Sequence, residues 1–203
     1  RDSSTSRGLG DVYKRQVWVS DADMELMVQR NITAVHNPVS NLKLASGAAR
    51  VPRLLERGVN VALGTDGVAS NNSHDLFEEI KLAALLHKGI GLDPAAVTAR
   101  QALEMATING ARALRRNTGV IAPGKTADLI LVDLAAPNLF PCHDVEADLV
   151  YSARGSNVVM NMARGRVIYE KGEFFTLDLE KIRAEVEGYA LPRIFGSVRG
   201  GGA

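Results

Sequence analysis

Residues 51–67, VPRLLERGVNVALGTDG, decide the fold class of this chain. The stretch begins with a short helical pattern over residues 51–57 that Gly58 closes, and it continues as the apolar, β-branched run of residues 59–63. The turn Gly64-Thr65-Asp66-Gly67 follows that run directly. A helix that leads through a glycine into an apolar strand is typical of alternating α/β units, in which parallel strands lie inside and helices outside.

The chain before residue 51 shows the same alternation. Residues 17–19 are predicted as the end of a strand, and Ser20 is predicted to cap a helix over residues 21–30. Residues 32–35 predict a second strand, which Pro38 ends and which a loop follows. Because functional groups of parallel barrels sit where strands end, the polar turns after these strands are the candidate site.

The chain after residue 67 is predicted to be helical and then to change character. Three helical patterns come first, over residues 75–88, 94–105 and 107–114. Four short strand patterns separated by turn residues come next, over residues 128–132, 148–151, 157–162 and 166–169. A last helical pattern covers residues 179–188. We therefore expect an α/β unit over residues 17–118, a small β domain over 119–178, and a C-terminal helix with a flexible tail over 179–203.

The first residues differ in composition from the rest. Residues 1–16, RDSSTSRGLGDVYKRQ, are polar and rich in Gly and Ser, and they show no apolar period of a helix or a strand. We interpret them as a disordered or foreign leader. The Gly-rich tail, residues 196–203, is expected to fray.

The composition favours a small-molecule partner. The chain has 24 basic and 23 acidic residues, and no run of like charge offers a footprint for nucleic acid or for an acidic membrane. No apolar run approaches the roughly 20 residues that a membrane span needs. The single cysteine, Cys142, excludes an internal disulfide and a Cys-based zinc cage, and it fits the cytoplasm. The composition neither requires nor excludes a homo-oligomer.

Asp66 is the leading candidate for chemistry. It ends an apolar strand between two glycines that let the backbone come close to a ligand, so it suits a metal ligand or a general base. The alternative is a turn residue that only ends the strand. His36 stands at the end of the preceding strand, where a hydrogen-bonded structural role is the alternative to ligand binding. Ser70 lies in a polar loop that either faces a ligand or caps the next helix.

Residues 119–126, GVIAPGKT, satisfy the phosphate-loop pattern GxxxxGK[ST] letter for letter. That motif works only when a strand precedes the loop and a helix follows it, because the amides at the helix N-terminus bind the phosphate. Here a helical pattern precedes the loop and a strand pattern follows it. We interpret the match as a Gly-Lys turn of the β domain.

The two strand-end clusters together identify a resemblance. Residues 36–47, HNPVSNLKLASG, and residues 51–88, VPRLLERGVNVALGTDGVASNNSHDLFEEIKLAALLHK, resemble the amidohydrolase superfamily, and within it the 5-methylthioadenosine/S-adenosylhomocysteine deaminase family. The resemblance extends from about residue 17 to about residue 186 and includes residues 119–134, GVIAPGKTADLILVDL. It implies a (β/α)8 barrel with a small β-sandwich, in which Val17, His36 and Asp66 mark the ends of strands six, seven and eight.

The resemblance also implies the chemistry. A divalent ion, zinc by expectation, would be held by three histidines on segments that do not match this chain and by Asp66. Asp66 would also transfer the proton during hydrolysis of an adenosine-type nucleoside to its inosine analogue and ammonia, with His36 and Ser70 facing the substrate. We therefore expect this chain to be an inactive C-terminal fragment of such an enzyme. A sister enzyme that acts on guanine or a triazine, and a non-catalytic truncated product, are the alternatives.

Overall fold

A computed structural model describes residues 16–196 of the chain. The leader prediction for residues 1–15 and the tail prediction for residues 197–203 lie outside the described residues. In the described part, no helix is both long and apolar enough to cross a lipid bilayer.

The first part of the chain alternates helices with two short strands. A 3₁₀ turn, Gln16–Trp18, is followed by α1 (Asp21–Gln29), β1 (Ala34–His36), α2 (Pro38–Lys43), α3 (Val51–Glu56), β2 (Val61–Leu63), α4 (Val68–Asn71), α5 (Leu76–Gly91), α6 (Ala99–Ala106) and α7 (Ile108–Ala113). β1 and β2 pair in parallel, with Ala34 opposite Val61 and His36 opposite Leu63. This parallel pairing confirms the α/β class that residues 51–67 predict.

The second part of the chain forms an antiparallel sheet. Its elements are β3 (Leu129–Val132), α8 (Val145–Tyr151), a 3₁₀ turn (Gly155–Asn157), β4 (Val158–Ala163), β5 (Arg166–Glu170), β6 (Glu173–Phe174), α9 (Leu179–Glu185), a π-helical turn (Val186–Ala190) and α10 (Leu191–Phe195). The strand order is β3-β4-β5-β6. Each strand pairs antiparallel with the next, so three of the four predicted strands are confirmed.

Side-chain caps explain where several helices begin. Ser20 accepts a hydrogen bond from the Asp23 amide, and Asp23 in turn accepts one from the Ser20 amide, which confirms the predicted cap of α1. Thr98 and Gln101 form the same reciprocal pair at the start of α6. Such caps satisfy amides that no helical bond reaches, and each stabilises a helix by about 1 kcal/mol.

One hydrophobic cluster joins the helices to β2. Most of its buried members come from α1, α3, β2, α5, α6 and α8, and they include Met24, Val51, Leu54, Val61, Ile80, Ala83, Met105 and Val150. Asn109 of α7 fixes β2 from the side, because its amide group donates to the Val61 carbonyl at 2.9 Å. The core therefore holds β2, and with it the turn that carries Asp66, in a fixed place.

Two predicted strands are wrong. Residues 17–19 begin as a 3₁₀ turn, in which Val17 is buried in the core and the Trp18 indole donates to the Ser46 carbonyl. A strand needs a neighbouring strand for its backbone hydrogen bonds, and no described strand pairs with these residues. Residues 148–151 belong to α8, because Asp144 caps a helix that buries Val150 in the core.

One predicted loop and one predicted helix start also differ from the structure. The residues after Pro38 form α2 rather than a loop, since proline is well suited to the first turn of a helix. α6 begins at Ala99 instead of residue 94, because the cap at Thr98 sets its start.

Candidate functional site

The candidate site lies at the carboxyl ends of β1 and β2. Because the two strands are parallel, both ends meet at one edge of the sheet. The turn that contains Asp66 leaves β2 at this edge, and α2 leaves β1 there. The polar segments that follow β1 and β2 therefore lie close together in the fold, as the sequence predicts.

Three hydrogen bonds hold the carboxylate of Asp66. The Ser40 hydroxyl donates to Oδ2 at 2.8 Å, the Ser70 hydroxyl donates to the same oxygen at 2.7 Å, and the Gly67 amide donates to Oδ1 at 2.8 Å. The Ser70, Ser40 and Gly67 bonds lower the pKa of Asp66 below its ordinary value. Asp66 is thus an exposed, ionised carboxylate in a fixed orientation, which suits both a metal ligand and a proton acceptor.

The backbone of Asp66 adopts a left-handed conformation with φ at 59°. Few residues other than glycine adopt this region, and it is concentrated at functional sites that the surrounding structure holds in place. Gly64 lies close to the end of β1, because a Cβ there would be 2.5 Å from Oδ1 of Asn37. The glycine before Asp66 therefore allows the two strand ends to come close together.

Of the other predicted site residues, Ser70 joins Asp66 directly and His36 does not. His36 is buried and lines a mostly apolar cavity of about 650 Å³ with Trp18, Met27 and Val35. Asp66 and Ser70 are not among the described residues that line this cavity. The structure thus places His36 in a different environment from the Asp66 carboxylate.

His36 packs against a second buried histidine, His87 of α5, with 5.4 Å between the ring centroids. Neither ring nitrogen of His36 has a hydrogen-bond partner within the described part of the chain. Burial, followed by the charge of His87, lowers the pKa of His36 to about 3, and burial lowers the pKa of His87 to about 4. Both rings are therefore neutral near pH 7.

Sequence reasoning missed two residues of this site. Ser40, which donates to Asp66, lies in the polar cluster after β1 but carries no motif of its own. Glu79 of α5 is fully buried and accepts hydrogen bonds from the Val39 amide and from the side chain of Asn71. The sequence gives no sign of this burial, because a glutamate is normally exposed on the surface of a helix.

The described residues do not complete a metal site by themselves. Across residues 16–196, no group of three or more His, Cys, Asp or Glu side chains is placed to hold a metal ion. His74 and His143 are exposed, and His36 is paired with His87. Asp66 is the candidate that offers one oxygen ligand.

The phosphate-loop match lacks the geometry of a phosphate loop. Residues 119–126 follow α7 and lead into β3, and Lys125 donates to the side chain of Asn117 at 2.9 Å. Asn117 also donates to the Gly124 carbonyl at 2.9 Å, which closes the turn. The structure therefore confirms the interpretation of this segment as a turn before a strand.

Comparison with protein families gives one match that covers most of the chain. The sequence profile of the amidohydrolase family matches residues 6–168 of this chain. The 5'-deoxyadenosine deaminase of Methanosarcina acetivorans is 54% identical over 169 residues, which are 83% of this chain and 39% of that protein. The 5-methylthioadenosine/S-adenosylhomocysteine deaminase of Dictyoglomus thermophilum is 50% identical over 88% of this chain and 42% of that protein.

A solved structure of a deaminase is also similar to this chain. An adenosine deaminase from Xanthomonas campestris with bound zinc superposes with a TM-score of 0.83 at 37% identity, over 86% of this chain and 40% of that chain. The present chain thus spans about two fifths of the length of the proteins it matches.

Proposed function

Because the chain belongs to the amidohydrolase family, we propose that the protein containing it hydrolyses the exocyclic C–N bond of an adenosine-type nucleoside. The observation that carries this proposal is Asp66, an ionised carboxylate held by three hydrogen bonds at the end of a parallel strand. Relatives named as deaminases of 5'-deoxyadenosine and of 5-methylthioadenosine/S-adenosylhomocysteine support the substrate class.

The architecture of the whole protein is part of the proposal. We infer that residues 17–118 belong to the C-terminal part of a (β/α)8 barrel, with β1 and β2 as its seventh and eighth strands. The antiparallel sheet of residues 119–178 would then belong to a small β-sandwich. The parallel pair with its outer helices, followed by the separate antiparallel sheet, supports this division.

Asp66 would transfer the proton in this reaction. Its carboxylate accepts a proton from the attacking water as the water oxygen bonds to the ring carbon that carries the amine. It then returns the proton to the departing nitrogen, so that the products are ammonia and the inosine analogue. A divalent ion, zinc by the same proposal, would polarise the water when bound, with Asp66 as one of its ligands and the remaining ligands outside the described residues.

The orientation of Asp66 would depend on two serines. Ser40 and Ser70 both donate to Oδ2, and among residues 16–196 Oδ1 accepts from the Gly67 amide alone, so a further lone pair of Oδ1 stays available for a ligand. Fixing the carboxylate before substrate arrives removes an entropic cost from the reaction. The partners proposed for this site are small nucleosides.

Ammonia release from a panel of substrates tests the proposed function. The full-length protein should convert 5'-deoxyadenosine, 5-methylthioadenosine or S-adenosylhomocysteine to the inosine analogue in the presence of zinc. Residues 1–203 alone should release no ammonia, because Asp66 is the one metal ligand that the proposal assigns to them. Faster turnover of guanine or of a chlorinated triazine by the full-length protein would assign the chain to a sister activity instead.

A further inference from the structure

Glu79 is a buried carboxylate that forms no salt bridge within the described part of the chain. Its side chain is fully buried in α5. Burial raises the pKa of Glu79, and the hydrogen bonds from Val39 and Asn71 counter that rise. Burying a carboxylate without a charged partner is costly unless hydrogen bonds satisfy its oxygens, so the two bonds that Glu79 accepts are the reason it can be buried.

The first oxygen of Glu79 holds the start of α2. The Val39 amide is one of the free amides at the N-terminus of this helix, and Asn37, at the cap position, provides no side-chain cap. Glu79 Oε2 accepts from the Val39 amide at 3.1 Å instead. The next residue is Ser40, whose hydroxyl donates to Asp66.

The second oxygen of Glu79 holds the turn that carries Asp66. Oε1 accepts from the side-chain amide of Asn71, at the end of α4, and that same amide group donates to the Thr65 carbonyl at 2.6 Å. Thr65 directly precedes Asp66. Each oxygen of Glu79 therefore leads to Asp66 through two residues: Oε2 through Val39 and Ser40 to the carboxylate, and Oε1 through Asn71 and Thr65 to the backbone.

We propose that Glu79 is a positioning residue for Asp66, acting through Val39 and Ser40 on the carboxylate and through Asn71 on the backbone. The role requires a carboxylate, because the amide of a glutamine offers one acceptor and turns a donor toward the Val39 amide or the Asn71 amide. This inference rests on the proposed function for its catalytic consequence. Its structural content does not depend on the reaction: it consists of two arms, the bond from the Val39 amide to Oε2 and the bond from the Asn71 side chain to Oε1.

The test compares Glu79→Gln with Glu78→Gln in the full-length, zinc-loaded protein. Glu78 is the exposed neighbour on the same helix, so its substitution makes the same chemical change without touching either arm. We expect Glu79→Gln to lower kcat by about 10- to 100-fold with KM changed by less than about threefold, as is usual when a partner that orients a site residue is removed. Glu78→Gln should leave both constants unchanged. Rates are expressed per folded, zinc-containing chain, so that lost stability alone does not count.

Amide hydrogen exchange provides the second measurement. Glu79→Gln should speed exchange at Val39 and across residues 65–72, whereas Glu78→Gln should not. A kcat for Glu79→Gln within about twofold of the wild-type value would overturn the proposal. Unchanged exchange at Val39 would also overturn it.

Two further outcomes are covered by the same design. If Glu79→Gln yields no folded protein, Asn71→Ser, which shortens the second arm alone, carries the kinetic test with the same expected direction and the same overturning result. If the wild-type protein deaminates none of the nucleosides, the proposed function fails, and the exchange measurement still decides whether Glu79 fixes the two arms.

Discussion

Replacing Asp66 with Asn in the full-length protein should lower kcat for deamination by about 10²–10⁴-fold, with a much smaller change in KM. Asparagine keeps the size and one oxygen of the side chain, so the Ser40 and Ser70 hydroxyls can still donate to it. What it loses is the negative charge and the basic site that accepts the proton. The measurement is steady-state ammonia release at saturating zinc.

Asp133→Asn is the matched control for this experiment. Asp133 is also an exposed carboxylate that directly follows a strand, but that strand is β3 of the antiparallel sheet. Its substitution should leave kcat within about twofold, as expected for a surface residue away from the site. If Asp66→Asn retained more than about a tenth of the wild-type kcat, the general-base role would be wrong, and Asp66 would be only a strand-ending turn residue.

The stability of the protein should fall as the pH drops below 6.5, because two neutral histidines are buried. The ordinary pKa of histidine is 6.5, and the folded protein lowers it to about 3 for His36 and about 4 for His87. The unfolded chain therefore binds more protons than the folded chain across this window, so stability is full above 6.5 and declines below it. Each ring contributes a slope of up to about 1.4 kcal/mol per pH unit between the pKa of the unfolded chain and that of the folded chain.

One buried group works against this decline. Burial raises the pKa of Glu79 above its ordinary value of 4.5, so its contribution to stability increases as the pH falls. The histidine effect is isolated by comparing urea unfolding of the wild type with that of His36→Phe between pH 7 and pH 4. We expect a shallower pH dependence in His36→Phe, and the same dependence as the wild type in His74→Gln, which changes an exposed histidine. An identical pH dependence in all three proteins would show that His36 is not neutral and buried.

The elements that could be predicted are those with local signals. The start of α1 follows from the reciprocal cap of Ser20 and Asp23, and β2 follows from an apolar run between two glycines. The strand prediction for residues 148–151 is wrong, because the three apolar residues after Asp148 are too few to show the period of a helix or of a strand, and the deciding cap at Asp144 lies outside them. The strand end predicted at residues 17–19 is wrong for a different reason. A strand needs a neighbouring strand for its backbone hydrogen bonds, and no local sequence pattern shows whether one is present.

The candidate site was only partly predictable for the same physical reason. Asp66 stands out in the sequence, because a carboxylate between glycines at a strand end is an uncommon combination. Ser40 is 26 residues away from Asp66 in sequence, and Glu79 reaches Val39 across 40 residues. Such contacts arise only when β1, β2 and α5 pack together, and the burial of His36 against His87 arises in the same way.

Metal removal from the full-length protein tests the central claim, that this chain contributes Asp66 to a metal-dependent hydrolytic deaminase. The protein is treated with a chelator, its metal content is measured, and ammonia release from 5'-deoxyadenosine or 5-methylthioadenosine is followed while zinc is added back. We expect the metal-free wild type to lose turnover and to regain it as about one zinc per chain is bound, and we expect Asp66→Asn to remain slow at every zinc concentration. Undiminished ammonia release from protein shown to be free of metal would contradict the account.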